Sequence, residues 1–190
     1  MHLEGGDLLR VTEDELLRFG LYTGLDIDPE VVVQLQEHAA RSETRLRAVN
    51  MISARALSKR ELERRLRDKG ATERDAADAA DWLEDIGALD DLAYAKSVVR
   101  HYSERGCGEA KLRDELFRRG VARELWDEAL AEAPDPREGI ARVVAARTKG
   151  RALDERERRR LAEALLRRGF SWGDIRAALG AEMEEEDGIT

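Results

Sequence analysis

Residues 61–71 read ELERRLRDKGA, residues 111–121 read KLRDELFRRGV and residues 160–170 read RLAEALLRRGF. Each stretch holds a leucine, a second leucine four residues on, a basic residue and then glycine. The positions are Leu62, Leu66, Lys69 and Gly70; Leu112, Leu116, Arg119 and Gly120; and Leu161, Leu165, Arg168 and Gly169. Successive copies start 50 and 49 residues apart. One such pattern is an ordinary amphipathic helix, but three at a near-constant interval mark an internal repeat. Leucines at i and i+4 share one helix face. The glycine one turn later supplies the left-handed backbone that ends a helix, and the basic residue sits where the last carbonyls concentrate negative potential. Ala71, Val121 and Phe170, the residues after each glycine, can fold back against the helix just ended.

A second helix follows each copy. Thr72 and Ser171 can cap its first N–H groups, with Asp75 and Asp174 three residues on as a loose capping box. Its apolar faces are Ala76, Ala79, Ala80 and Leu83; Leu125, Trp126, Ala129 and Leu130; and Ile175, Ala178 and Leu179. Trp82, Trp126 and Trp172 read as packing residues. A third helix precedes each leucine–glycine helix. Asp90-Asp91 opens one through Ala95, Val98 and Val99, and Asp135-Pro136 opens one through Ile140, Val143 and Val144, with proline at the tolerated first position. The first copy has a longer version from Pro29 through Val33, Ala39, Leu46, Val49 and Ile52, whose start could be a separate short helix.

The expected fold is therefore all-α: about three tandem three-helix repeats, about nine helices, stacked into an elongated curved array. The layout is an N-terminal extension over 1–29, repeats over 30–87, 88–133 and 134–181, and an acidic tail over 182–190, expected to be disordered. The extension can hold a small strand at residues 7–11 and a helix start at Thr12. Charged residues make up 39% of the chain, against roughly 25% in an average globular protein. That excess suits solvated helices rather than a thick sheet. No apolar run approaches the ~20 residues of a membrane span. Met1–Asp7 lacks the basic start and apolar run of a secretory signal, and the single Cys107 can make no internal disulfide. A cytoplasmic protein is expected.

A net charge of −8 disfavours a general nucleic-acid coat, but the charge is laid out in blocks. Residues 41–70 carry ten basic and four acidic side chains, and residues 71–95 one and eight. Residues 96–125 carry eight and five, and residues 147–176 ten and five. On a repeat scaffold such blocks become patches. Chemistry is hard to find. His2, His38 and His101 are scattered, there is no phosphate loop or nucleophile elbow, and Asp90-Asp91 reads as a helix cap. No catalytic residue, metal site or cofactor is expected; a repeat surface suits a macromolecular partner.

The run from Arg55 to Gly70 (RALSKRELERRLRDKG), then LEDIGALDDLAYA from Leu83, GEAKLRDELFRRGV from Gly108 and LLRRGFSWGDI from Leu165 together resemble the RecX regulatory proteins. The likeness covers roughly residues 45–180, with a fainter one over residues 16–30. It implies a cytoplasmic bacterial inhibitor of the RecA recombinase built from tandem three-helix repeats. Such a protein binds the RecA filament on single-stranded DNA along its groove, touching the DNA directly or through RecA. It limits ATP hydrolysis, strand exchange and co-protease action in recombination, DNA repair and the SOS response. A monomer that needs no membrane is expected.

The candidate contact residues for partner or DNA are Arg55, Lys59, Arg60, Arg64 and Arg65, with Arg105, Lys111 and Arg113 in the next repeat. Arg55 and Arg105 each precede the first repeat leucine by seven residues, which would set them on one edge of the array. The alternative is that these cations lie over helix faces or pair with Glu61, Glu63 and Glu109. Two other functions stay open, a helix–turn–helix transcription factor reading DNA through Gly173 to Leu179, and a generic helical adaptor.

Overall fold

The computed structural model describes residues 11–149 and 153–179. Residues 7–10 of the expected strand and the acidic tail lie outside the described residues; Val11 belongs to no element. Among the described residues every α-helix is one the repeat demands except the first, and no strand occurs. No helix of the described residues is long and apolar enough to cross a membrane.

The chain divides into two compact units, Met1–Asp90 and Asp91–Thr190. In the first, α1 (Glu13–Arg18) is closed by a capping box between Thr12 and Glu15. The buried Glu15 carboxylate also accepts a 2.7 Å hydrogen bond from the Ser42 hydroxyl on α2, and Phe19 meets His38 edge to face at 5.4 Å. Helix α2 (Pro29–Ala54) starts at Asp28, which accepts from the Glu30 N–H, with Pro29 in the first turn. It is one continuous helix of 26 residues, so its start is not a separate short helix. Helices α3 (Lys59–Asp68) and α4 (Glu73–Asp85) complete a three-helix packing around Leu62, Leu66, Ala76, Ala80 and Leu83. Ser58 and Thr72 cap them through their hydroxyls.

The second unit repeats that arrangement twice. Helices α5 (Asp91–Glu104), α6 (Glu109–Arg118) and α7 (Trp126–Leu130), the last entered through a single 3-10 turn at Arg123–Leu125, close over Val99, Leu112, Leu116 and Ala129. Helices α8 (Pro136–Thr148), α9 (Glu155–Arg167) and α10 (Trp172–Leu179) close over Ile140, Leu161, Leu165, Phe170 and Ile175. All six repeat leucines are between 0% and 2% exposed. At ~2–5 kcal/mol for a buried leucine cut to alanine, these pairs dominate each core.

The turns are the same in all three repeats. Gly70, Gly120 and Gly169 have φ of 92°, 71° and 88°. The next N–H, of Ala71, Val121 or Phe170, returns to the carbonyl of the second leucine, at 3.1, 3.1 and 3.2 Å. This Schellman closure satisfies helix-end carbonyls and folds the apolar residue back onto the core. Val121 and Phe170 are buried, and Ala71 half-buried.

Four expectations about packing fail, Val33 on α2 among them at 53% exposed. Trp172 is 37% exposed, because it opens the eight-residue α10, where only Ile175 is buried; Ala178 on the same short helix is exposed as well. Leu46 is exposed too, since Leu35, Ala39 and Ala48 form the buried side of α2 instead. Trp126 is buried with its indole N–H on the Val121 carbonyl at 3.0 Å, and Trp82 is half-buried beneath the Arg45 guanidinium.

Within the second unit, the start of α6 meets the end of α9 main chain to main chain. The N–H groups of Gly108 and Ala110 donate to the carbonyls of Arg168 and Gly169 at 2.9 and 3.1 Å. Unpaired donors of one helix start and unpaired acceptors of another helix end thus satisfy each other. Gly108 has an ordinary φ of −88°, so only crowding keeps it small: a β-carbon there would stand 2.4 Å from the Gly169 carbonyl oxygen. At Gly169 a β-carbon would meet the Lys111 nitrogen at 2.3 Å, whereas at Gly70 it would meet nothing within 4 Å. Gly70→Ala should therefore cost only the left-handed strain, about 1–2 kcal/mol. Gly169→Ala should cost about 1–3 kcal/mol more through overpacking. Calorimetric unfolding of the two variants would show the larger drop in Tm for Gly169→Ala; equal drops would refute the close approach.

Candidate partner-binding surface

Five of the eight candidate cations are already neutralised. On α3, Leu62 and Leu66 point into the core, so Lys59 emerges beside α4, where its Nζ holds Asp81 at 2.7 Å and Glu84 at 2.5 Å. Those hydrogen bonds, to Asp81 first and then Glu84, outweigh partial burial and push the ammonium's pKa up. Arg55, the extended residue that ends α2, reaches Glu61 at 2.5 Å, and Arg65 approaches the same carboxylate at 2.9 Å. In the second unit, Lys111 holds Asp114 and Glu115, and Arg113 holds Glu109 and Asp127.

Arg60, Arg64 and Arg105 are exposed and make no ion pair among the described residues. Arg60 and Arg64 are four apart and share the outward side of α3. Arg67, seven residues after Arg60, is exposed and extends that row, with Glu73 only at 3.9 Å. Arg67 is not among the expected contact residues, although its spacing from Arg60 and Arg64 is visible in the sequence. Arg55 and Arg105 do not occupy matching backbone positions. Arg55 ends α2 in extended conformation, whereas Arg105 sits inside a glycine turn in which the Gly106 N–H returns to Ser103. Arg176, the long basic side chain of α10, is half-buried and its Nε is enclosed without a hydrogen-bond partner.

Glu115 is the one buried carboxylate of α6. Burial by itself would raise its pKa, but hydrogen bonds from Arg119 and Lys111 prevail and hold it below the ordinary 4.5. Arg119 also donates to the Tyr102 hydroxyl at 3.0 Å and stacks on that ring. Cys107, half-buried against the same core, has its thiol pushed up by desolvation, against the opposing fields of Arg168 and Lys111. It is a packing residue, and a poor nucleophile. Among the described residues no group of acidic, histidine or cysteine side chains could hold a metal ion.

Comparison with known proteins places this arrangement. Residues 90–130 match the second three-helix domain of RecX, and residues 138–179 its third. The regulatory protein RecX of Vibrio campbellii is 37% identical over 140 residues, 73% of this chain and 90% of that protein. The chain belongs to the RecX family. The regulatory protein RecX of Chromohalobacter salexigens is 36% identical over 138 residues, covering 72% of this chain and 91% of that one. A crystal structure of regulatory protein RecX superposes with a TM-score of 0.75 at 20% identity, over 93% of this chain and 90% of that chain. RecX from Lactobacillus salivarius gives 0.65 at 22% identity, over 74% and 94%. These structures confirm the all-α repeat fold, and the family is one of regulatory proteins.

The Glu115 cluster gives a pH test. Its carboxyl is depressed in the folded chain, so its stabilisation is complete above 4.5 and lost as pH falls through the folded-state value. Glu115→Gln should remove about 1–3 kcal/mol near neutral pH and flatten the acid limb of a stability–pH curve. Denaturant unfolding from pH 7 to 3 would show the variant and parent curves converging on acidification; parallel curves would dismiss the cluster.

Proposed function

We propose that this protein is a non-enzymatic inhibitor of RecA that binds the RecA–single-stranded DNA filament along its groove. It acts in the cytoplasm as a monomer, without metal or cofactor, and limits ATP hydrolysis, strand exchange and co-protease activity. The observation that carries this reading is membership of the RecX family, with two consecutive three-helix domains matched in order. The surface supports it: the Arg60–Arg64–Arg67 row is a positive strip on a rigid helix. Cations already holding carboxylates have little left to offer a partner, whereas exposed guanidiniums can take phosphate or acidic side chains bidentately.

ATP hydrolysis by RecA on single-stranded DNA, titrated with the protein at several salt concentrations, tests the function. Hydrolysis should fall with added protein; hydrolysis unchanged at molar excess would overturn the reading. Arg60→Glu/Arg64→Glu should raise the half-inhibiting concentration about tenfold, the equivalent of ~1.4 kcal/mol. If both residues meet phosphates, the dependence of log affinity on log salt should become shallower by roughly 0.7 per lost contact. Arg113→Gln, whose parent side chain is held by Glu109 and Asp127, should change neither.

A further inference from the structure

Between the second and third three-helix domains, inside the second unit, lies an open cleft of about 300 Å3. Four arginines line it, Arg105, Arg142, Arg147 and Arg168, against one carboxylate, Glu104. Two are fixed by the backbone. Arg168 donates to the Arg105 carbonyl at 2.9 Å and the Gly106 carbonyl at 3.3 Å, and Arg142 donates to the Ser103 carbonyl at 3.1 Å. Arg105 and Arg147 make no side-chain hydrogen bond, and none of the four makes an ion pair, among the described residues. Lys96, Lys111, Arg113 and Arg119 elsewhere in the unit hold carboxylates, whereas Arg100, Arg137 and Arg158 do not among the described residues. The cleft is therefore marked by the gathering of four guanidiniums and not by the lack of an ion pair alone.

Gathering four guanidiniums around one hollow with a single carboxylate among them works against folding, and the net positive field they create attracts an anion. We infer that this cleft binds the phosphate ester of a nucleotide. Guanidinium forks match phosphate oxygens bidentately, and two of them are held in place before any ligand arrives, which lowers the ordering cost of binding. The floor is apolar, formed by Val143, Ala146 and Ala164, and suits the sugar that a phosphate ester carries. The volume lies at the lower end of ligand pockets, ~300–1,000 Å3, enough for a phosphate with its sugar. The same chemistry is offered by a phosphodiester in single-stranded nucleic acid and by a free nucleotide. The site does not depend on the recombinase and is tested without it.

The experiment follows fluorescence anisotropy of a labelled oligothymidylate, and separately of a labelled ATP, with the full chain at low salt. Arg105→Gln/Arg147→Gln spares the two arginines that tie down the backbone. Ala146→Trp fills the floor from an exposed position without removing charge. Both variants, with helicity and Tm unchanged, should bind one probe at least tenfold more weakly. Loss with the oligonucleotide identifies a phosphodiester, and loss confined to ATP identifies a free nucleotide. For the charge variant, log affinity against log salt should flatten by roughly 0.7 per lost single-strand contact. Parent-like binding of both probes by the two variants overturns the inference, as does a parent chain that binds neither. Unchanged probe binding with weakened binding to RecA would also overturn it, assigning the cleft to an acidic protein surface.

Discussion

The return of one N–H to the carbonyl of a buried leucine, across a left-handed glycine, is the constraint on which each three-helix domain rests. Its effect is geometric before it is energetic. The chain must leave the leucine helix at a fixed angle and present an apolar residue to the core it has just formed. The next helix, or in the second domain the 3-10 turn that enters it, then starts within two or three residues, already positioned over that core. Because Ala71, Val121 and Phe170 make the same return, small, medium and large side chains at one position tune each core without changing its plan. The apolar residue also shields the hydrogen bond that holds it, so burial and backbone satisfaction reinforce each other.

A different constraint governs the second unit. The start of α6 and the end of α9 lie so close that neither Gly108 nor Gly169 has room for a β-carbon. Main-chain pairing of this kind tolerates little slippage, because two hydrogen bonds and two steric limits must be met together. Arg142 and Arg168 strengthen it by donating to carbonyls at the end of α5. The joint that fixes the two domains thus also collects positive charge around a hollow. Structural and binding demands fall on the same side chains there, and Arg105 and Arg147 are the members free of the structural task.

The charge pattern has a similar double meaning. Much of the basic block over residues 41–70 is answered within its own unit, by Glu43, Glu61, Asp75, Asp81 and Glu84. The acidic block that follows it in sequence is partly the counter-charge of the basic one, brought alongside by the α3–α4 turn. What remains exposed on α3 is narrower than the block, chiefly its outward arginines Arg60, Arg64 and Arg67. Surface ion pairs of this kind are worth ~0–1 kcal/mol each, so they shape the electrostatic field more than they stabilise the fold.

The helical repeat, its caps and its cores were determined by the sequence alone. They depend on local spacing: leucines one turn apart, a glycine after the basic residue, and a capping side chain before each start. Such rules act over a few residues and so leave a linear trace. Trp172 and Leu46 escaped because short α10 and long α2 present different fractions of their surface to a core, which local spacing does not encode. The family likeness was legible for the same reason as the repeat, since its motifs are those turns. Only the tertiary structure decided which cations are spent and which are available. Lys59 meets Asp81 and Glu84, more than twenty residues away. Arg105 and Arg168 converge on one turn from more than sixty residues apart. Pairing across such separations is set by how helices pack, and charge counted along a chain does not reveal it.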